Sequence, residues 1–300
     1  MRVFVTGGTG FVGREILQQL TAAGHTVRSL ARGGKRRLDL AGVECVPGDI
    51  TDSKSLDGLL EGCDAVIHLV GIIREFPSRG ITFERLHVEA TRNMLAAATE
   101  QKVPRFIHMS ANGSRENAAT AYHFSKWRAE QAVRDSALAW TVFRPSLIYG
   151  RSDQFVNLLA GMIRKLPLVP VLGDGQYRLS PVAVEDVARG FIAALSREES
   201  IAQNYACGGP QAVTYDQLLK AVAVALRRSP PCILHHPVSL MRPVIYAFER
   251  FSAFPITSEQ LTMLLEGNVC DPEEWRKAFD LTLTPLAAGL QQMLGGNEST

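Results

Sequence analysis

The sequence lacks closely spaced cysteines, a strong charge of either sign and any long apolar run. Its five cysteines show neither the spacing of a zinc site nor that of a disulfide framework: Cys45, Cys63, Cys207, Cys232 and Cys270. We therefore expect no metal site, and thiols that are reduced and mostly buried. The formal net charge of +2 argues against a nucleic-acid partner held by electrostatics.

No apolar run approaches the roughly 18 residues that a membrane-spanning helix requires. No signal peptide precedes the first apolar run at Val3, and we find no internal repeat or low-complexity linker. We therefore expect a cytoplasmic protein without a transmembrane segment, with attachment to a membrane complex as the alternative. A hydrophobic content of 46% over 300 residues suffices for one large core or for two lobes.

A glycine-rich turn stands near the start of the chain. Residues 3–13 read V-F-V-T-G-G-T-G-F-V-G, in which a short run of strand formers leads through three glycines into an amphipathic helix. Gly7 permits a tight turn, Gly10 lets the backbone approach a ligand, and Gly13 lets the helix pack close to the strand. Backbone N–H groups and the positive helix end then point at one place, which favours a pyrophosphate. The stretch predicts a dinucleotide site.

Apolar runs and helical patterns alternate along the first half of the chain. The predicted strands cover residues 3–5, 25–30, 43–46, 64–70, 105–109 and 140–143, and the predicted helices residues 11–23, 56–60, 83–102 and 122–136. This alternation predicts an α/β fold with a Rossmann-type doubly wound parallel sheet. We assign residues 1–150 to this dinucleotide-binding domain and expect segments near 181–208 to return to it. Residues 151–300 are assigned to a smaller substrate or partner lobe.

The end of the second predicted strand indicates which dinucleotide is bound. An NAD-binding chain usually places a carboxylate there for the ribose hydroxyls, whereas this chain has Ala31 followed by Arg32. Lys35, Arg36 and Arg37 follow, and guanidinium groups bind a 2′-phosphate through charge-assisted hydrogen bonds. We therefore predict NADP as the cofactor, with NAD as the alternative; a solvated basic loop would explain the same residues without a cofactor.

Two residues after the third predicted strand are candidates for the adenine site. Asp49 offers a carboxylate to the adenine amino group, and Ile50 offers an apolar contact to the face of the ring.

A Tyr/Lys pair is the clearest sign of chemistry. Tyr122 and Lys126 stand four residues apart in a predicted helix, so they lie on one face. A phenol ionises near pH 10, and a neighbouring ammonium group or nicotinamide cation favours the phenolate. The same lysine can hold the nicotinamide ribose through its hydroxyls. The pair predicts proton transfer beside a nicotinamide, with Tyr122 as the acid or base.

Four motifs together resemble the short-chain dehydrogenase/reductase superfamily, in its extended and atypical branches related to NAD-dependent nucleotide-sugar epimerases and dehydratases. They are T-G-G-T-G-F-V-G at residues 6–13, G-D-I-T-D at 48–52, Y-H-F-S-K at 122–126 and R-P-S-L-I-Y-G at 144–150. Segments at residues 68–72, 107–113 and 258–268 are similar to one atypical group. That group includes the nucleotide-binding accessory subunit of respiratory complex I and its stand-alone bacterial relatives.

The resemblance implies that the cofactor contacts the glycine turn, the ends of later strands and the Tyr/Lys pair. The implied cofactor-binding residues are Gly7, Thr9, Gly10, Phe11, Val12, Gly13, Leu69, Val70, Gly71, Tyr122, Lys126 and Pro145. Arg178 lies in a segment that resembles the family's turn and substrate-facing strand. It is the candidate for binding an anionic substrate, and a surface arginine is the alternative.

The predicted catalytic group departs from the family pattern. The superfamily's third catalytic residue is a Ser or Thr just after the fifth strand, where this chain has Ala111, with Ser110 one residue early. A shift of one residue turns a side chain to the opposite face, so Ser110 is re-aimed, Asn112 or Ser114 replaces it, or the donor is absent. His87 also stands where many relatives carry an Asn of the proton path. Losing one preorganised donor costs about 10²–10³ in rate, which allows slow turnover or none.

Residues 237–255 are rich in large apolar side chains and poor in charge. We expect a helix packed over the second lobe. The alternative is an apolar surface that meets a quinone-like or lipid-like ligand, a membrane surface or a partner protein.

Two functions from different classes remain open. The first is an NADP-dependent oxidoreductase or an epimerase or dehydratase, in which Tyr122, Lys126 and Ser110 act on a nucleotide sugar or an apolar carbonyl compound. The second is an NADPH-binding protein with little turnover, which stabilises a respiratory complex or senses NADPH. The intact Tyr/Lys pair favours the first function, which we prefer, whereas Ala111 and the apolar stretch favour the second.

Overall fold

The computed structural model describes residues 1–32, 40–251 and 254–295, and the chain divides into two compact units. The first unit is built on a sheet of seven parallel strands. In spatial order they are β11 (Gln203–Cys207), β6 (Ala139–Pro145), β5 (Arg105–Met109), β4 (Ala65–His68), β1 (Arg2–Thr6), β2 (Thr26–Ala31) and β3 (Val43–Pro47). The strand order reverses at β1, because β2 lies on one side of it and β4 on the other. Ligands of such sheets bind beside this reversal, at the carboxyl ends of the strands.

The first unit comprises Met1–Pro145, Val184–Cys207 and Glu273–Leu281. Its helices are α1 (Phe11–Ala22), α2 (Ala90–Glu100), α3 (Ala121–Arg134), α5 (Val184–Ala193) and α9 (Glu273–Ala278), and a π-helical segment, Glu84–Glu89, leads into α2. All four residues of β4 are buried, as expected for a parallel strand covered on both faces. The predicted α/β class and doubly wound parallel sheet are therefore confirmed.

The second unit comprises Ser146–Ala183, Gly208–Pro272 and the chain from Thr282 onward. Its strands pair two by two: β7 (Ile148–Tyr149) with β10 (Val182–Ala183), β8 (Leu168–Leu172) with β13 (Cys232–His236), and β9 (Arg178–Leu179) with β12 (Val213–Thr214). Its helices are α4 (Phe155–Lys165), α6 (Tyr215–Ala225), α7 (Val238–Phe248), α8 (Ser258–Glu266) and α10 (Leu286–Leu294). The buried faces of α4, α6 and α10 form one hydrophobic core around Leu159, Leu219 and Leu290. That this unit binds a substrate or a partner stays a prediction.

One local prediction was wrong. Residues 56–60 do not form a helix: a 3₁₀ turn, Ser53–Leu56, is followed by further turns, because Gly58 and Gly62 interrupt so short a segment. Strand β8, for which the sequence analysis makes no prediction, has Pro170 in its middle. A proline is tolerated there because β8 pairs with a single strand, β13. Backbone N–H groups on the unpaired edge of β8 have no strand partner to lose.

Within the described ranges, no helix combines the length and hydropathy that crossing a bilayer requires. Nor does the described part of the chain gather three or more His, Cys, Asp or Glu side chains into a group that could hold a metal ion.

Candidate dinucleotide and catalytic site

The glycine turn joins β1 to α1 at the reversal of strand order. A Cβ atom on Gly13 would lie 2.3 Å from the carbonyl oxygen of Gly7, so no larger residue fits between the turn and the helix. The turn itself is closed by the Gly10 N–H, which donates to the Gly7 carbonyl oxygen at 3.0 Å, and Gly7 has a φ of 75°. No side chain caps α1 at Gly10. The first N–H groups of the helix are thus left to an anion, and the turn fits a pyrophosphate.

The end of β4 lies directly beside this turn. The Leu69 N–H donates to the Thr6 carbonyl oxygen at 3.2 Å. A Cβ atom on Gly7 would lie 3.0 Å from the carbonyl carbon of Leu69. Leu69 is buried, Val70 is half-buried and Gly71 is exposed. The structure therefore brings together the two backbone segments for which cofactor contacts are predicted.

Arg32 is exposed directly after β2 and carries its charge near Asp49. The Asp49 carboxylate accepts hydrogen bonds from the Thr51 N–H at 2.9 Å and the Thr51 hydroxyl at 2.8 Å. Burial acts to raise the pKa of Asp49, but these hydrogen bonds and the charges of Arg32 and Arg85 hold it below its ordinary value. Arg85 also donates to the Thr51 hydroxyl at 3.0 Å. This second arginine was not predicted, because the π-helical segment that carries it is distant in sequence.

Two further residues are predicted to contact the adenosine end of the cofactor, and the structure describes only one of them. Ile50 is 5% exposed and belongs to the hydrophobic core beneath the strand ends. Its backbone carbonyl accepts a hydrogen bond from the Asn93 side chain at 2.9 Å. Arg36 lies outside the described residues. The adenine contact of Ile50 and the phosphate contact of Arg36 stay predictions.

Helix α3 carries Tyr122 and Lys126 to the carboxyl ends of β4 and β5. Thr120 caps the helix by accepting from the His123 N–H, which sets where the helix begins. The Lys126 side chain is buried, and its ammonium group donates to the Met109 carbonyl oxygen at 3.1 Å. A Cβ atom on Gly71 would lie 2.8 Å from Lys126 Nζ, so glycine is the residue that leaves the lysine room. The lysine is thus held between the segments that follow β4 and β5.

The electrostatics of the pair differ from the prediction. Burial raises the pKa of Tyr122 to about 12, so the depression expected from the neighbouring ammonium group is not found. Burial also lowers the pKa of Lys126 to about 8, against the opposing effect of the Glu130 carboxylate. Burial is therefore the largest cause of the pKa shift at both residues. At neutral pH the phenol keeps its proton.

His87 packs directly against Tyr122. Its ring stacks on Phe83 with centroids 5.2 Å apart and meets the Tyr122 ring edge-on at 5.6 Å. His87 Nδ1 lies 2.8 Å from the Ser125 hydroxyl, which in turn donates to the Tyr122 carbonyl oxygen at 2.8 Å. Nε2 lies 3.0 Å from the Ile72 nitrogen and 3.1 Å from the Ile72 carbonyl oxygen. Burial lowers the pKa of His87 to about 2, and the imidazole stays neutral.

Two further buried histidines lie under the site and were not predicted. His68 and His108 are register partners in β4 and β5, and their rings stack with centroids 5.4 Å apart. His68 Nδ1 lies 2.7 Å from the Thr6 hydroxyl and its Nε2 3.1 Å from the Thr91 hydroxyl. Burial, followed by the charge of Lys126, lowers the pKa of His68 to about 3. Burial also lowers the pKa of His108, whose ring nitrogens find no hydrogen-bond partner within the described residues.

Ser110 is the third predicted catalytic residue, and its hydroxyl is engaged. The Ser114 hydroxyl donates to the Ala111 carbonyl oxygen at 2.8 Å and has no second hydrogen. In the 3.1 Å contact between the two serine hydroxyls, Ser110 is therefore the donor. Both side chains are buried. That Ser110 donates a hydrogen bond to a reacting oxygen stays a prediction. It requires that the Ser110 hydroxyl give up its hydrogen bond with Ser114 and bind the substrate instead.

Two predicted residues remain, one in each unit of the chain. Pro145 is the buried last residue of β6, and its carbonyl oxygen accepts from the Asn112 N–H at 2.9 Å. Arg178 belongs to the second unit, is exposed, and donates to the Ala212 carbonyl oxygen at 3.4 Å. Anion binding by Arg178 stays a prediction.

A doubly wound sheet with a glycine turn at its strand reversal defines a dinucleotide-binding class of protein. The model of the NAD dependent epimerase/dehydratase family matches residues 3–208. The chain belongs to this family.

Comparison with known proteins gives relatives of several kinds. The chain is 31% identical over 276 residues to the mitochondrial NADH dehydrogenase [ubiquinone] 1 alpha subcomplex subunit 9 of Arabidopsis thaliana, covering 88% of this chain and 68% of that one. It is 33% identical over 196 residues to a ceramide reductase of Caulobacter vibrioides, covering 64% of this chain and 60% of the reductase. The structure of MoeE5 in complex with UDP-glucose and NAD has a TM-score of 0.77 at 20% identity and 98% coverage of both chains. That likeness shows the fold.

Proposed function

We propose that the protein is an NADP-dependent oxidoreductase that reduces an apolar carbonyl compound. The observation that carries the proposal is the Tyr122/Lys126 pair, held by α3 at the ends of β4 and β5 in the unit that carries the glycine turn. The relative named ceramide reductase supports a lipid-like carbonyl substrate over a nucleotide sugar. The cytoplasmic location is part of the same proposal.

Tyr122, Lys126 and His87 have separate roles in this reduction. When bound, the nicotinamide supplies the hydride. Tyr122, protonated at neutral pH because burial raises its pKa to about 12, donates its proton to the carbonyl oxygen as that oxygen gains charge. Lys126 hydrogen-bonds the nicotinamide ribose and keeps a positive charge beside the phenol. His87 packs against the Tyr122 ring and holds it in position.

The preference for NADP rests on Arg32, with Arg85 as a second cation beside Asp49. Both guanidinium groups are exposed, and paired N–H donors bind a 2′-phosphate in a way that a carboxylate cannot. We expect NADPH to bind more tightly than NADH in a fluorescence titration. The substitution Arg32→Ala should weaken NADPH binding by about tenfold and leave NADH binding within twofold, since a charged hydrogen bond contributes about 1.5–3 kcal/mol. Arg92→Ala, an exposed arginine of α2, is the matched control.

A second candidate function is supported by a different observation. The hydroxyl hydrogen of Ser110 goes to Ser114, and Ala111 stands where the family carries its donor. Without that donor, turnover would be slow and NADPH would serve as a structural or sensing ligand, as for an accessory subunit of a respiratory complex. The complex I relative supports this alternative.

One experiment separates the two functions. The purified protein is assayed for NADPH oxidation with long-chain ketones, quinones and UDP-sugars, and any copurifying nucleotide is identified by mass spectrometry. We expect oxidation with an apolar ketone, and Tyr122→Phe should lower kcat by about 10²–10⁴ while the NADPH dissociation constant stays within twofold. Tyr246→Phe, at an exposed tyrosine, is the control. Tightly held NADPH that no carbonyl compound oxidises would favour the second function, and turnover of UDP-sugars alone would contradict the substrate class.

A further inference from the structure

Helix α7 exposes its largest side chains. Leu240 is 68% exposed, Tyr246 76% and Phe248 50%, whereas Ile245 is the one buried residue of the helix at 1%. The expected helix is present and packs on the second unit through Ile245, but most of its apolar side chains stay exposed. Scattered surface leucines are ordinary in proteins, but a group of large apolar side chains on one helix marks an interaction surface.

Three of the exposed apolar side chains of the helix form one stripe, and the exposed Tyr246 lies on another side. Leu240, Val244 and Phe248 recur every four residues, so they lie on one side of α7, and all three are exposed. Phe251 follows the helix, is also exposed, and falls on the same side by helical spacing. A surface helix normally turns its apolar stripe toward the core. In α7 this stripe, formed by Leu240, Val244, Phe248 and Phe251, faces away from the core.

Two cations stand on α7 or at its end. Within residues 238–251 the exposed residues with full charges are Arg242 and Arg250, and the neighbouring α8 carries a half-buried Glu259 and an exposed Glu266. The only acid of residues 238–251, Glu249, is half-buried and accepts a hydrogen bond from the Ser258 N–H at 2.6 Å. The Arg250 guanidinium lies 4.9 Å from the centre of the Phe251 ring, so one cation borders the stripe directly.

We propose that α7 docks this protein on an anionic lipid bilayer. The helix lies in the interface, with the stripe turned toward the acyl chains and the arginines toward the lipid phosphates. Eleven residues give a helix of about 16 Å, which is too short to cross a bilayer of about 30 Å but suits a position within its surface. Exposed arginines next to an apolar stripe favour an anionic lipid surface over a neutral one, and a protein partner is one of the outcomes that the test distinguishes. The proposal does not depend on the proposed enzymatic function.

The test is cosedimentation of the full chain with vesicles of phosphatidylcholine alone or with one-quarter phosphatidylglycerol. We expect binding to the anionic vesicles that is at least tenfold tighter than to the neutral ones and that weakens with salt. Leu240→Asp and Phe248→Asp should each reduce it at least fivefold. Val224→Asp, at a side chain 69% exposed on α6, is the matched control and should bind as the unsubstituted chain does.

A second readout keeps the proposal open to refutation. In Phe248→Trp, the added tryptophan should shift its emission to shorter wavelength with anionic vesicles, and thermal melts should show that every variant is folded. Absence of vesicle binding, or equal loss of binding in Val224→Asp, would overturn the proposal. So would concentration-dependent self-association that Leu240→Asp abolishes while vesicle binding is unchanged, because a second copy of the chain would then cover the stripe.

Discussion

Helices α3 and α7 both reverse the usual distribution of side chains, in opposite directions. Helix α3 buries two charged residues, Lys126 and Glu130, whereas α7 exposes Leu240 and Phe248. Buried charges and exposed apolar stripes are both costly in an isolated protein. Each helix therefore indicates a function, but the two functions are of different kinds.

The charges buried on α3 find their partners within the first unit. Glu130 accepts from Arg144 at 2.9 Å and from Arg134 at 3.4 Å, and Lys126 donates to the Met109 carbonyl oxygen. The members of the α7 stripe are instead exposed at the surface. The buried charges of α3 thus form a site for a small ligand, whereas the exposed apolar side chains of α7 form a surface for a much larger partner.

The largest expected effect comes from removing the buried charge of α3. Lys126→Met should lower kcat/KM for carbonyl reduction by about 10²–10⁴, because the substitution removes the charge beside the acid and a hydrogen-bond donor to the ribose. Lys220→Met, at an exposed lysine of α6, is the control and should have no effect on the rate. Steady-state kinetics with NADPH check both variants. Equal rates in Lys126→Met and Lys220→Met would show that the buried charge of α3 has no role in the reaction.

The next effect tests which side of α7 faces the core. Ile245→Ala should lower the free energy of unfolding by about 2–5 kcal/mol, because a buried aliphatic side chain is truncated. Leu240→Ala should change it by less than about 0.5 kcal/mol, because that side chain lies at the surface. Urea unfolding measures both. A similar cost for the two substitutions would mean that α7 is an ordinary packed helix, and the comparison would fail.

The histidines beneath α3 predict acid sensitivity. The pKa values of His68 and His87 are lowered to about 3 and about 2 in the folded state, so below the ordinary value near 6.5 the unfolded chain binds more protons. Stability is then lost as pH falls, by about 2 kcal/mol per histidine at pH 5. The pKa of His108 is also lowered. His108→Phe should therefore lose less stability than the unsubstituted chain between pH 7 and pH 5; parallel losses would contradict the prediction.

An effect of the same size as that of one histidine lies on the alkaline side. The pKa of Lys126 is lowered to about 8 in the folded state, so above pH 8 the unfolded chain binds more protons and the cost of burying the charge is removed. Relative to Lys126→Met, the unsubstituted chain should gain about 2 kcal/mol between pH 8 and pH 10. Urea midpoints at the two pH values measure the gain. A pH-independent difference would show that the lysine is not a buried cation.

Local patterns determined the fold and one end of the site. The alternation of apolar runs and helical stretches predicted the parallel sheet, and the spacing of Gly7, Gly10 and Gly13 predicted the turn at its strand reversal, because both depend on short-range geometry. The positions of Tyr122 and Lys126 on one face of a helix followed from helical spacing in the same way.

Only the tertiary structure decided what surrounds these residues. That His68 stacks on His108, and that Lys126 reaches the Met109 carbonyl, follows from which strands become neighbours. The raised pKa of Tyr122 follows from its burial. The apolar pattern of α7 was visible in the sequence, but a pattern does not say which side of a helix meets the core. That choice depends on contacts between distant segments, and here it placed the apolar stripe at the surface.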